Sequence, residues 1–360
     1  MPTWTQDQSS QVAPTPQTAV PAPATPHPSK QPLSALAGSD TIIARIDPNF
    51  ISISLVLLSI IHLRSQDAIG FKKFRYDFSV MSRITPLFIC VALLLVTLTG
   101  CMEYSERYRT SPLRRVAVIG ASVTAGFKLT TPPIKDDLGA YPINMKHIVE
   151  GMISVPHEEV AYFGKLAFFA RPDANGAVLI DELIAHEPSL VVAIDFLFWY
   201  AYGGTRNATD SVQYRNEKFE RGLALLEKID APIILGNLPD MHKAVGMMLS
   251  ARQVPSVETI HALNIRVREW AKDKPNVFLV DLHRVVTNLM NDAQIQVFGH
   301  TWPAGSQSTL LQADLLHPTF EGTVGISLLI AEALGGAGLE TNLGVLLDNA
   351  AAEARKQANR

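Results

Sequence analysis

From Arg114 onward, short apolar runs alternate with longer amphipathic stretches, and this alternation constrains the fold more than any other feature of the chain. The runs cover 116–120, 159–163, 190–195, 232–236 and 277–281. Each is apolar along most of its length and is bounded by turn or cap residues. That is the pattern of strands buried on both faces, as in a parallel sheet. The stretches at about 138–152, 176–187, 211–229 and 255–273 read as helices. In the last of these, Val257, Ile260, Leu263, Val267 and Trp270 recur at helical spacing. A further helix is expected at 319–334. Strand-helix alternation of this kind predicts an α/β protein, a three-layer α/β/α sandwich around a parallel sheet. There is no internal repeat.

The 360 residues are 47% apolar, enough to bury one large core. A net charge of −3 gives no electrostatic basis for binding nucleic acid. The two cysteines, Cys90 and Cys101, both precede the alternating region. That region therefore contains no internal disulfide and no four-cysteine zinc site. No His-Glu-x-x-His spacing occurs either, so no metal site is expected.

Residues 1–80 read as an N-terminal extension. Its first 40 or so residues, rich in Pro, Ala, Thr, Gln and Ser, bury too little apolar surface to order. The apolar stretches at 50–63 and 84–100 are both shorter than the roughly 20 residues of a membrane span. Segment 81–100 has the layout of a signal peptide: Arg83 after Met81, an apolar run, then Leu98-Thr99-Gly100-Cys101. This end closely resembles a bacterial lipobox, which implies lipid attachment at Cys101, cleavage before it, and a membrane-anchored place in the cell envelope. A signal peptide belongs at the start of a chain, so Met81 is the expected start and the residues before it a gene-start artefact. The alternative is a two-span protein with a cytoplasmic tail. Residues 101–112 read as a tether, 113–335 as the folded domain, and 336–360 as a peripheral helical tail.

The first strand runs into Gly120-Ala121-Ser122-Val123-Thr124-Ala125-Gly126. Ligands of open parallel sheets bind beyond the carboxyl ends of the strands. A serine there can present its Oγ to substrate, with backbone N–H groups nearby to stabilise an oxyanion. The competing reading makes Ser122 a helix N-cap without chemistry. Near the other end stands Asp314-Leu315-Leu316-His317-Pro318. A histidine base needs a carboxylate on its second nitrogen, and a spacing of three lets one loop supply both.

Taken together, Gly-Ala-Ser after the first strand and Asp-x-x-His-Pro before the last helix resemble the end blocks of the SGNH (GDSL-type) hydrolases. The resemblance spans about 114–334. It implies a flavodoxin-like five-stranded parallel sheet, an esterase with Ser122, His317 and Asp314 as its triad, and no cofactor. The substrate would be an ester of a lipid or an acylated saccharide. Ser122 would give one oxyanion donor through its own N–H, and Gly164 or Gly176 a second. The family's third donor, an asparagine in a Gly-x-Asn-Asp block, has no counterpart. Asp195-Phe196-Leu197-Phe198-Trp199 stands there instead. A binding or accessory protein on the same fold is therefore the rival expectation.

Asp195 has two readings, a polar group reaching the N–H groups of the Ser122 turn or a cap of the turn that follows it. Phe198 and Trp199 line an acyl or sugar pocket or belong to the core. His283 is expected to be a hydrogen-bonded structural histidine. Asn237 and Asp240 mark a turn.

Overall fold

The structure is a computed structural model that describes residues 108–133, 139–205 and 211–360. The lipobox-like segment, Cys101 and the N-terminal extension lie outside the described residues. Among those described, no helix is long and apolar enough to cross a membrane.

Five strands form one parallel sheet: β1 (Val116–Gly120), β2 (Ala161–Gly164), β3 (Leu190–Ala193), β4 (Ile233–Gly236) and β5 (Val277–Val280). Their order is β2-β1-β3-β4-β5, and every pairing is parallel. Each strand falls on or within two residues of an apolar run in the sequence. β1, β3 and β4 are buried along their whole length, which is why their sequences show no alternation. β2 sits at an edge and is only half-buried.

The helices are α1 (Met145–Met152), α2 (Pro172–Ala185), the short α3 (Phe198–Ala201), α4 (Ser211–Leu226), α5 (Val257–Lys272), α6 (Leu282–Met290), the short α7 (Gln307–Leu310), α8 (Phe320–Leu334) and α9 (Leu343–Ala358). α2, α4 and α5 pack in sequence against one another, while α1, α8 and α9 form a second group. The architecture is the expected three-layer α/β/α sandwich with a flavodoxin-like sheet. A small antiparallel hairpin, β6 (Ile295–Val297) and β7 (His300–Trp302), follows α6. The sequence pattern had not suggested the hairpin or α6.

Helix α9 corrects one expectation. The tail is helical but not peripheral. Leu346, Ala350, Ala351 and Ala354 are buried, and Asn349 Nδ2 donates to the Gly151 carbonyl of α1 at 3.0 Å. The helices approach closely enough that a Cβ on Gly151 would lie 2.8 Å from the Ala350 nitrogen. α9 also secures the start of α1. There Asn144 caps the helix through the Lys146 N–H, and the Asn144 N–H donates to His147 Nδ1. His147 Nε2 then donates to Gln357 Oε1 of α9 at 2.6 Å.

The order of strands determines where a site can form. Connections leave β1 and β3 in opposite directions across the sheet, so a crevice opens beyond their carboxyl ends. Ser122 follows β1 and Asp195 follows β3.

Candidate active site

Beyond β1 the chain passes through successive turns, not straight into a regular helix. Ala125 N–H donates to Ala121 O at 2.8 Å, and Phe127 N–H to Ser122 O at 3.0 Å. Gly126, at φ +70°, is required here. The left-handed conformation suits glycine, and a side chain would collide with the Ile143 carbonyl.

Asp195 holds this turn. Its Oδ1 accepts from the Ala121 N–H at 3.0 Å and the Thr124 hydroxyl at 2.6 Å. Its Oδ2 accepts from Val123 N–H at 2.8 Å and Thr124 N–H at 3.3 Å. A Cβ on Gly120 would occupy the carboxylate's space, so that glycine admits the side chain. Burial pushes the Asp195 carboxyl above the usual range, while the four donated hydrogen bonds pull against it. Of the two readings of Asp195, the structure supports the one that reaches the Ser122 turn. The N–H groups on both sides of Ser122 are thus engaged, and among the described residues no acceptor meets the Ser122 N–H itself.

His317 comes from the loop before α8 and is almost fully buried. Its Nδ1 lies 2.8 Å from Asp314 Oδ2 and its Nε2 2.9 Å from Ser122 Oγ. The carboxylate requires a proton on Nδ1, which leaves the Nε2 lone pair facing the serine hydroxyl. Asp314 Oδ1 also accepts from the main-chain N–H groups of Leu316 and His317, both at 3.0 Å. Burial raises the Asp314 pKa, but the hydrogen bonds from His317 and Leu316 outweigh it, so the carboxyl titrates below its ordinary value. The imidazole stacks on Phe127 with ring centres 4.2 Å apart. Three residues singled out in the sequence therefore meet as one hydrogen-bonded chain. The N-cap reading of Ser122 is not what is seen, because its Oγ faces an imidazole.

The other expected site residues divide. Gly164 ends β2 and pairs in register with Gly120 of β1, at the same carboxyl edge of the sheet as Ser122. Gly176 lies within α2, and a Cβ there would strike the Tyr200 hydroxyl. It is a packing glycine, which removes it as an oxyanion donor. Phe198 faces the cavity beside Ser122 and stacks on Tyr202 at 4.1 Å. Trp199 does not line that cavity. It is buried between Phe198 and Phe169, which corrects its assignment to the pocket. His283 has the structural role expected: its N–H donates to Asn237 Oδ1 at 2.8 Å, and its Nδ1 meets Leu238 O at 3.2 Å. Asn237 borders the cavity, yet its amide is also held by Asp281 Oδ1 at 2.7 Å.

Two features escaped the sequence reading. Gln312 ties the loop of His317 to the turn of Ser122. An apolar cavity of about 110 Å3 adjoins Ser122 and His317 and extends among α6, the β6–β7 hairpin and α8. Among the described residues, no three or more His, Cys, Asp or Glu side chains converge as a metal site would require.

No family model matches the sequence, and no curated protein matches it. Solved structures give distant likenesses. One is a gut microbial diltiazem-metabolizing enzyme, with 14% identity over 62% of this chain and a TM-score of 0.39. The chain spans about half of that protein, 47% of its length. A second is an acetyl-xylooligosaccharide esterase of Geobacillus stearothermophilus in mutant form, with 13% identity, 64% of this chain, 97% of that one and a TM-score of 0.39. A third is a GDSL-like lipase of Bacteroides thetaiotaomicron, with 15% identity, 66% and 97% coverage and a TM-score of 0.37. Likenesses this distant do not assign an activity.

Proposed function

We propose that this protein is a serine hydrolase that cleaves carboxylic esters through an acyl-enzyme on Ser122. One observation carries the reading: His317 Nε2 lies 2.9 Å from Ser122 Oγ while its Nδ1 is held 2.8 Å from Asp314 Oδ2.

The chemistry follows from those positions. Ser122 Oγ adds to the acyl carbonyl as its proton passes to His317 Nε2. Asp314 stabilises the imidazolium and keeps the ring oriented. Collapse of the tetrahedral adduct breaks the carbon–oxygen bond to the alcohol, which leaves with the proton from Nε2. A water then loses a proton to His317, attacks the acyl-enzyme and releases the acid. The Ser122 N–H, which no group among the described residues claims, is the first oxyanion donor in this reading, and Gly164, level with Gly120 at the sheet's carboxyl edge, is the candidate for the second.

A second reading has its own motive. No asparagine follows β3, and Asp195 in that segment is committed to the Ser122 turn. Loss of one oxyanion donor lowers rates by about 10²–10³. A protein that binds acylated ligands without turning them over would keep this fold. Labelling by a fluorophosphonate and turnover of p-nitrophenyl butyrate decide between the two. A hydrolase is labelled and turns over, and Ser122→Ala abolishes both. Equal rates in the two proteins rule out the hydrolase.

We also propose, on the lipobox-like sequence, that Cys101 carries a lipid and holds the protein at a bacterial membrane facing the periplasm or exterior. Intact mass of membrane-extracted protein tests this. Mature protein must begin at a modified Cys101.

A further inference from the structure

We propose that the apolar cavity beside Ser122 holds the acyl chain of the substrate, and that the preferred esters are those of linear fatty acids of medium length. The inference rests on the serine hydrolase reading and names its substrate class.

The cavity is continuous with the reacting groups, since Ser122 and His317 form part of its wall. The rest is built from side chains such as Leu282 and Val286 of α6, Val297 and Trp302 of the hairpin, and Ile326 and Leu329 of α8. Among the described residues, its only ionisable wall groups are Asp195 and His317, and both are already engaged. The Asn237 amide is held by Asp281 and His283. Trp302 Nε1 donates to Glu321 Oε1 at 2.8 Å, so the indole N–H is already engaged and not open to a ligand.

This surface suits hydrocarbon and not sugar. A saccharide placed here would bury hydroxyls without partners, each at a cost comparable to a lost hydrogen bond or more. A methylene chain gains from every carbon it withdraws from water. The length is bounded by the space. An apolar cavity of about 150 Å3 takes up benzene, so about 110 Å3 with an open mouth suits roughly four to eight chain carbons. Gly325 of α8 sets one limit, because a Cβ there would lie 3.2 Å from the Trp302 ring.

The test is a series of p-nitrophenyl esters from acetate to palmitate, hydrolysed by the full chain. kcat/KM is expected to rise about fourfold per added methylene, to peak within that range, and to fall for longer acids. Val286→Phe is expected to move the peak to shorter chains and to lower the octanoate-to-acetate ratio by about tenfold or more. Ile326→Phe narrows the same space and serves if the first variant fails to fold, as judged by its thermal melt. Turnover that favours acetate throughout, or a chain-length profile unmoved in a folded variant, overturns the acyl cavity and leaves the hydrolase standing. Absence of both turnover and fluorophosphonate labelling removes the hydrolase itself.

Discussion

The side-chain amide of Gln312 donates to the main-chain carbonyl of Phe127, 185 residues away in sequence, at 2.9 Å. The same nitrogen donates to Pro318 O at 2.8 Å, and the Gln312 N–H donates to His317 O at 2.8 Å. One side chain thus spans the turn that presents Ser122 and the loop that presents His317. Removing the amide in Gln312→Leu leaves two carbonyls unpaired, at about 1–3 kcal/mol. A fall in kcat of about tenfold or more is expected, with KM changing less, because the distance between base and nucleophile is what the clamp fixes. Steady-state kinetics and a denaturant melt measure the two effects separately.

Asp195 is a positioning residue in this scheme. Asp195→Ala strips acceptors from three N–H groups and the Thr124 hydroxyl. A destabilisation of about 3–5 kcal/mol is expected, together with loss of fluorophosphonate labelling at Ser122. Asp195→Asn keeps the shape but turns one oxygen into a donor that faces N–H groups. It should lie between the two in both assays. Unchanged labelling in the alanine variant would show that the turn holds its shape unaided.

Asp314→Asn isolates the role of the carboxylate. The amide can hold the ring in place but favours the wrong tautomer, so kcat should fall by about 10²–10⁴. Fluorophosphonate labelling should slow in step. A rate within twofold or so of the parent would mean His317 is oriented by other contacts.

Acid stability offers a test with a defined sign. Glu159 pairs with Lys146 of α1 at 2.6 Å and with Arg360 at 3.1 Å. Hydrogen bonds to Lys146 and then Arg360 hold its pKa down at about 2, against 4.5 ordinarily. A carboxyl depressed on folding contributes stability that is present above its unfolded pKa and is lost as pH falls through its folded one. The stability gap between wild type and Glu159→Gln should therefore be full at neutral pH and close between about 4.5 and 2. The group is half-exposed, so the gap should stay below about 1 kcal/mol and shrink in high salt. Thermal melts across pH and salt measure it.

Gly151→Val tests the correction made to the C-terminal helix. The added carbons enter the space of the Ala350 backbone and force α9 off α1, at about 1–3 kcal/mol or more. A truly peripheral tail would leave the melting temperature unmoved.

Much of the layout was legible because it follows from burial. Short apolar runs bounded by turn residues, such as Val116–Gly120, read as buried strands, and a serine or aspartate that follows one lies at the sheet's carboxyl edge. Asp314 and His317 could be paired because a histidine base needs a carboxylate, and Ser122 was joined to them by the resemblance of the two short blocks to the end blocks of the SGNH hydrolases. What stayed hidden depends on contacts that leave no local periodicity. Gln312 is one polar residue in a loop. The β6–β7 strands are three residues each, too short for an alternation to register. The buried face of α9 is mostly alanine, which reads as neutral in a polar segment. Gly176 and Trp199 misled for the opposite reason. A glycine near an expected loop and an aromatic in a cluster both have packing uses, and here the partners are Tyr200, Phe169 and Phe198.

The hairpin and α6 stand apart, in chain order, from Ser122, Asp195 and the Asp314–His317 loop. On the proposed reading, bond-breaking rests on those residues, while α6 and the hairpin supply part of the acyl wall. On that reading, exchange of wall residues such as Val286 and Val297 would re-tailor which acids this protein accepts while leaving the reacting groups in place.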